Sequence, residues 1–412
     1  MSETPKSVAI IGANLAGGWA ADTLRQKGFE GDIFLIGEEP DPPYERPPLS
    51  KDLLLHPDAM PKTLFLHDLD YYAQQRITLQ LGVRASKLDL PGRRVELANG
   101  AQISADRLIL CTGGDARRLP IPGSELPQVH CLRTLADSRA IAAGLAPGKS
   151  VVVVGGGVIG LEVAASAAKA GCKVTVLEAA PGLMTRVVTP EIGNFLLHCH
   201  RAEGVDIRLG QGIAAILGAR AVQAVETGDG TRIDADMVVL GVGIDPADAL
   251  ARDADIATDN GIIVDAHCRT SVAEIFAAGD VANQPNPYLG GRVRLENVQN
   301  AQNQGAAAAE AILGSTAPFE ELPYFWTDQF DLNVQAAGDT LHADQTILRG
   351  TLESRAFSVF YLDQGAVKGV LTVNQPKDMA HGRRMIMRHL RPDPAALADP
   401  GSDLRQIVKA AS

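Results

Sequence analysis

An α/β protein with two parallel-sheet units and a smaller C-terminal α+β domain is what this 412-residue sequence predicts, on three observations. A β-branched run, a cluster of closely spaced glycines, a helical stretch and a second strand follow one another twice, at 7–38 and at 151–178. Each copy has a later companion, a short apolar strand that exits through glycine: Leu108–Cys111 into Thr112-Gly113-Gly114, and Met237–Leu240 into Gly241-Val242-Gly243. From Pro323 the composition changes to clustered aromatics followed by short alternating segments. A helical period between strands predicts parallel βαβ units, and alternation predicts a half-buried antiparallel sheet.

The repeated unit is clearest at VVVVGGGVIGLEVAASAAKAGCKVTVLE, residues 151–178. Val151–Val154 suits a strand buried on both faces. Gly155, Gly157 and Gly160 then fall in the G-x-G-x-x-G spacing of a dinucleotide-binding turn. The first glycine allows the tight turn, the second lets a pyrophosphate approach the backbone, and the third lets the helix pack on the strand. The helix N-terminus faces the phosphates. After Leu161–Gly171 a second strand, Lys173–Leu177, ends at Glu178, placed to accept hydrogen bonds from a ribose. A carboxylate there favours NAD(H) over NADP(H), whose 2′-phosphate it repels.

The N-terminal copy runs through Ser7–Ile11, GANLAGG, a helix and Asp32–Ile36, ending at Glu38. Asn14 stands in place of the middle glycine, between Gly12 and Gly17. Asparagine tolerates left-handed dihedrals, so the turn survives, with a side chain that crowds the pyrophosphate.

Between the copies lies PPYERPPLSKDLLL, residues 42–55, whose Arg46 and Lys51 are cations on a proline-stiffened loop after a nucleotide unit. Ile77–Val83 and Val95–Leu97 are expected as strands around the Asn99-Gly100 turn. Pro120–Pro127 reads as a crossing between domains, and 138–148 as a helix leading into the second copy. A helix near 191–203 and a strand at 206–209 follow it. IFAAGDVA then sets Asp280 just past a strand, and residues 294–313 form an alanine- and amide-rich helix. The aromatic run PYFWTDQF precedes alternating segments at 357–362 and 367–373.

Composition excludes several classes. The content, 46% hydrophobic and 21% charged, is that of a globular protein. A formal charge of −11 argues against nucleic-acid binding carried by net charge. The first strand begins without a secretion signal ahead of it, and no apolar run is long enough to span a bilayer, so a cytoplasmic location with no membrane association is expected. Cys111, Cys131, Cys172, Cys199 and Cys268 are scattered, with neither a C-x-x-C nor a C-x-x-x-x-C. That spacing provides no metal-thiolate site and no paired redox disulfide.

Two dinucleotide folds, with the second placed before a return segment carrying FAAGDVA, resemble the glutathione-reductase-type flavoprotein superfamily. Within it the chain is similar to the NADH:ferredoxin reductases of aromatic-ring dioxygenase and cytochrome P450 systems. The residues that carry the resemblance are PPYERPPLSK, GGGVIGLE, LMTRVVTPE, GVGIDP, FAAGDVA, RLENVQNAQNQG and PYFWTDQ, spread over nearly the whole chain. It implies a discontinuous FAD domain (1–116 and 245–321), an inserted NAD(H) domain (117–244) and a C-terminal α+β domain (322–412). Gly12, Asn14, Ala16 and Gly17 would then lie at the FAD pyrophosphate and Glu38 at its ribose. Val83 would lie on the adenine side, and Arg133 would reach FAD. Asp280 would lie at the ribityl–phosphate region, with Arg46 and Lys51 along the cofactor. Lys51, Val298 and Trp326 would lie near the flavin ring, with Val298 where many relatives have an aromatic residue. For NADH the resemblance implies Gly155, Gly157, Val158, Ile159 and Gly160 at the turn and Glu162 near the nicotinamide. Glu178 would be at the ribose, Arg186 beside the adenosine half, and Gly241 and Gly243 under the dinucleotide. Lys51, Glu162 and Trp326 would carry the chemistry. Independently of the resemblance, Lys51 beside the ring suits stabilising negative charge on a reduced flavin, and Glu162 suits pairing with Lys51 when the nicotinamide is absent.

The activity so implied is hydride transfer from NADH to FAD, followed by one-electron delivery to a [2Fe-2S] ferredoxin that serves an oxygenase. A disulfide reductase of the same architecture is disfavoured by the cysteine spacing. The alternative is a flavin-holding, NADH-responsive interaction protein of apoptosis-inducing-factor type with slow turnover. For the ferredoxin, HGRRMIMRHLRP at 381–392 sets Arg383, Arg384, Arg388 and Arg391 on one helical side as a local basic face.

Overall fold

The computed structural model describes residues 5–61 and 63–411. They form two compact units. The first comprises Met1–Glu45, Pro61–Asp115 and Asp245–Glu321, and the second Arg46–Met60, Ala116–Ile244 and Leu322–Ser412. Arg46–Met60, read from sequence as part of the first fold, thus groups with the second unit, as do residues 322–412.

The first unit holds a parallel five-stranded sheet in the order Ile275–Ala277, Arg107–Leu110, Ser7–Ile11, Asp32–Ile36, Ile77–Gln80. Ser7–Ile11 is central, with Val8 in register with Ile33 on one side and Arg107 on the other. Its apolar residues are buried, as a parallel strand covered on both faces requires. The Leu15–Gln26 helix packs against the Val298–Ile312 helix over one face.

The second unit repeats the arrangement with Val129–Cys131, Met237–Leu240, Ser150–Val154, Lys173–Glu178 and Asp206–Leu209, all parallel. The Val158–Lys169 helix lies on this sheet. The same unit contains a five-stranded antiparallel sheet in the order Tyr324–Gln329, Leu332–Gly338, Ala366–Val373, Phe357–Asp363, Gln345–Arg349, on which the Pro376–Met387 helix packs. Tyr324–Gln329 is an edge strand, so its aromatics are half-buried rather than enclosed.

Three sequence expectations shift. The helix placed at 138–148 spans Leu135–Gly144, because Thr134 and Asp137 close a reciprocal capping box three residues earlier. The helix placed at 294–313 starts at Val298, where the Asn297 side chain accepts from Asn300 N–H. Arg94–Leu97 pairs with Ala85–Asp89 and Gln102–Ser104, and Asn99-Gly100 turns between Arg94–Leu97 and Gln102–Ser104, not near Ile77.

All five cysteines are free, and Cys111, Cys131, Cys199 and Cys268 are buried. Among the described residues no group of His, Cys, Asp or Glu is placed to hold a metal, and no helix is long and apolar enough to cross a membrane.

Candidate functional site

In the first unit the strand Ser7–Ile11 ends at Gly12, whose φ of +114° suits glycine. A Cβ there would stand 2.0 Å from the Cys111 carbonyl oxygen, and one on Gly17 would stand 2.0 Å from the Gly12 oxygen. Three backbone segments therefore meet with no room for side chains. Asn14 corrects the sequence reading: its φ of −103° and ψ of −167° are extended, so tolerance of the left-handed region plays no part. Its side chain folds into the turn, with Nδ2 donating to the Cys111 oxygen at 2.5 Å and Oδ1 accepting from Gly17 N–H at 3.4 Å. The glycine is replaced here by a helix cap rather than by a residue that shares glycine's dihedral freedom.

The other first-unit candidates gather at the same end of the sheet. Ala16 is buried, and a Cβ on Gly279 would come within 2.9 Å of its Cβ, which brings half-buried Asp280 to the helix start. The Asp280 carbonyl accepts from Arg294 Nη1 at 2.9 Å. Gly37 abuts Ala13, exposed Glu38 follows it, and Val83 N–H donates to the Gly37 oxygen at 3.0 Å. Val298 is the first residue of its helix and packs against the core.

In the second unit the turn is repeated and left open. Gly155 has φ +109°, and a Cβ there would lie 2.4 Å from the Gly241 oxygen. One on Gly160 would lie 2.0 Å from the Gly155 oxygen, so helix and strand touch backbone to backbone. Gly157, the helix N-cap, has no side-chain cap, and a Cβ built on it would meet nothing within 4 Å. Val158 is half-buried, and Ile159 remains 43% exposed.

Glu178 Oε2 accepts from Gly156 N–H, and Oε1 from Ala180 N–H, each at 2.6 Å. Met184 N–H donates to the Gly156 oxygen at 2.9 Å, leading the chain to exposed Arg186. Arg186 Nη1 is 3.7 Å from where a Cβ on Gly243 would stand. Unpaired helix N–H groups, an open glycine, a fixed carboxylate and an exposed isoleucine together suit a dinucleotide with its pyrophosphate at the helix N-terminus.

The same helix carries Glu162, 3% exposed, into a polar cluster of the second unit. Lys51 Nζ lies 3.2 Å from Glu162 Oε1 and 3.0 Å from Asp328 Oδ2. Thr327 Oγ1 donates to Glu162 Oε1 at 2.7 Å, and Ser50 Oγ donates to Glu162 Oε2. Burial pushes the Glu162 carboxyl up, against the Lys51 charge and the bonds from Ser50, Thr327 and Lys51, which draw it down. Lys51 Nζ also sits 5.9 Å from the Trp326 ring centroid. Trp326 stacks on Tyr324, and the Arg383 guanidinium lies 4.7 Å from the Tyr324 centroid. Arg46 Nη1 donates to the Arg133 carbonyl, which joins those two candidates.

The four arginines do not form one helical side. Arg383 turns onto Tyr324, Arg384 is exposed on the helix, Arg388 is its C-cap, and Arg391 lies beyond a turn made by His389 at φ +52°. Sequence reasoning missed Ser50, Thr327 and Asp328. Ser50 and Thr327 directly adjoin the selected Lys51 and Trp326, and Asp328 follows Thr327, but nothing in their residue type or spacing set them apart. Gln329 closes the quoted PYFWTDQ run without being singled out, and His200 lies in no quoted motif.

Residues 6–305 match the family model described as pyridine nucleotide-disulphide oxidoreductase, and residues 324–408 match the one described as reductase C-terminal. The chain is 40% identical over 403 residues to rhodocoxin reductase of Rhodococcus erythropolis, covering 98% of this chain and 94% of that one. It is 41% identical over 409 residues to the ferredoxin–NAD(+) reductase component of the p-cumate 2,3-dioxygenase system of Pseudomonas putida, covering 99% and 100%. Two solved structures superpose at a TM-score of 0.94. One is the covalent putidaredoxin reductase–putidaredoxin complex, 38% identical with 98% and 99% coverage. The other is the ferredoxin reductase for the CYP199A2 system from Rhodopseudomonas palustris, 37% identical with 99% and 100% coverage.

Proposed function

This chain belongs to the pyridine nucleotide-disulphide oxidoreductase family, and from that premise we infer that it is an FAD-dependent NADH:ferredoxin reductase serving a dioxygenase or P450. The full-length likeness to reductase components of such systems carries this reading. FAD supplies acceptance of two electrons together and their release one at a time. We place it in the cytoplasm with its partner, a [2Fe-2S] ferredoxin.

The chain's own groups provide positioning and electrostatics. We assign the FAD pyrophosphate to the Gly12–Gly17 turn, its ribose to Glu38 and its ribityl–phosphate region to Asp280. NADH is assigned to the Gly155–Gly160 turn, with Ile159 as an apolar cover and Glu178 at the ribose. FAD held at the Gly12–Gly17 turn would supply hydride acceptance from NADH, and the chain's part would be to offset the positive charge developing on the donor and the negative charge developing on the acceptor. Glu162 and Lys51 are a carboxylate and an ammonium 3.2 Å apart, suited to offset those two charges respectively. No side chain has to give or take the hydride, and the absence of paired cysteines leaves nothing for disulfide exchange.

The test is direct. Heat should release FAD from the yellow protein, and NADH should reduce a [2Fe-2S] ferredoxin through it with multiple turnovers. FMN in place of FAD, or slow NADH oxidation with a persistent charge-transfer band, would favour the interaction-protein reading instead.

Glu178→Ala should lower the preference for NADH over NADPH by about tenfold, chiefly by weakening NADH, because one charged hydrogen-bond acceptor is worth about 1.5–3 kcal/mol. The ratio of kcat/KM values measures it. Equal use of both cofactors by the wild type would remove Glu178 from the ribose.

A further inference from the structure

Glu162 ends a line of buried polar side chains that the activity described so far does not use. The line runs through the second unit from Glu162 to His200. Thr327 Oγ1 is 2.7 Å from Glu162 Oε1, Gln329 Nε2 is 3.1 Å from Thr327 Oγ1, and Gln329 Oε1 is 2.8 Å from His200 Nε2. Thr327, Gln329 and His200 are each 0% exposed. Burial lowers the His200 pKa, against the bond from Gln329, so the imidazole is neutral and donates through one nitrogen.

The direction of every bond follows from the charge at one end. An ionised carboxylate only accepts, so Thr327 must donate its hydroxyl proton to Glu162. Its oxygen then accepts from the Gln329 amide N–H, which turns the amide oxygen towards His200 and requires the proton on Nε2. Ser50 and Lys51 donate to the same carboxylate from the other side. A proton on Glu162 Oε2 would make Ser50 Oγ an acceptor and leave the Ser50 hydroxyl proton only the longer 3.4 Å bond to the Pro47 oxygen, while Thr327 and Lys51 would still face Oε1.

We propose that Thr327, Gln329 and His200 are positioning residues for hydride transfer, a one-way hydrogen-bond line that holds Glu162 ionised and aimed while it is buried. The proposal rests on the reductase reading above. It places the determinants of the Glu162 charge on the edge strand Tyr324–Gln329 and the Pro190–Ala202 helix, outside both dinucleotide turns.

The charged groups that face Glu162 are few. Lys51 comes from the 46–60 segment, and Asp328 of the edge strand pairs with that same lysine. His200 closes the far end of the line. Glu178, on the neighbouring strand Lys173–Glu178, is engaged by Gly156 and Ala180 N–H. Removal of one donor therefore has few charges to counter it, and the carboxyl should begin to take up a proton within the working pH range.

Thr327→Val preserves shape and deletes the donor. In the wild type, the rate at which NADH reduces bound flavin in anaerobic stopped flow should be flat between pH 6 and 8. In the variant it should fall about tenfold from pH 8 to pH 6, as the ionised fraction falls by up to tenfold per pH unit below the carboxyl's pKa. Gln329→Met should show the same slope more weakly, and Thr327→Ser should restore the flat profile.

A second readout does not depend on turnover. In infrared spectra of 13C-glutamate-labelled protein, Thr327→Val at pH 6 should show a protonated carboxyl band that vanishes in the double variant with Glu162→Gln. The wild type should lack it. A flat profile without the band in Thr327→Val, or a sloped profile in Thr327→Ser, overturns the proposal. A wild type that fails to oxidise NADH at any pH would end the reductase reading and leave the infrared outcome to decide the line.

Discussion

Replacing Lys51 by methionine is expected to slow reduction of the flavin by NADH about 100-fold, the order seen when one electrostatic contact to a developing charge is lost, with a smaller change in NADH affinity. Lys51 is the only cation paired with Glu162 among the described residues, and its side chain is 18% exposed. Loss of the ammonium has two effects. On the proposed placement of Lys51 beside the flavin, negative charge gained there would lose its counter-charge, and Glu162 is left buried with no positive partner, a condition that commonly costs about 3–5 kcal/mol when the charge is kept. The carboxyl relieves that cost by taking up a proton, so the variant loses both members of the pair. Lys51→Met combined with Glu162→Gln should therefore be little slower than Lys51→Met alone, far from the product of the two single effects. Stopped-flow reduction at several NADH concentrations separates rate from affinity. An unchanged rate would return Lys51 to the role of a solvated loop charge.

The second large effect concerns the protein partner. Arg384→Glu with Arg388→Glu is expected to lower kcat/KM for ferredoxin about 30-fold at low salt, within the range that electrostatic steering spans, and to lose most of that difference near 0.5 M salt. At a net charge of −11 the chain repels an acidic partner at long range, so attraction has to be local. Arg384 and Arg388 are exposed, near half-exposed Met387. Arg383, in the same run, sits on Tyr324, which stacks on Trp326. Reduction of ferricyanide should be nearly unchanged, because a small acceptor needs no docking face. Equal losses with both acceptors would indicate damage to the fold, and no loss with ferredoxin would place the docking face elsewhere.

Much of this was legible because the chemistry of dinucleotide turns is local. Gly155, Gly157, Gly160 and Glu178 are fixed within one strand–turn–helix–strand run, and glycine spacing encodes backbone proximity. The Asn14 turn was half legible. The substitution was visible, but its device, a side chain bonded to Cys111, joins residues 97 positions apart. The Glu162 environment was the least legible part, since Ser50, Thr327 and Gln329 are ordinary polar residues whose roles arise only when three distant segments pack. The arginine run was misread for another reason: the helix stops at Met387, so a periodicity continued past that point describes no surface.

The state of the cysteines has a bearing on endurance. Four of the five thiols are buried, and burial pushes Cys111 up and Cys268 up to about 12, so the reactive thiolate is scarce. Oxygenase systems that uncouple release hydrogen peroxide, and peroxide attacks thiolates before thiols. A reductase that carries electrons on a flavin and keeps its sulfur out of reach offers such by-products little to inactivate. Only Cys172, partly exposed near Ala146, presents a surface to them, so this protein should outlast a dithiol-dependent relative in the same surroundings.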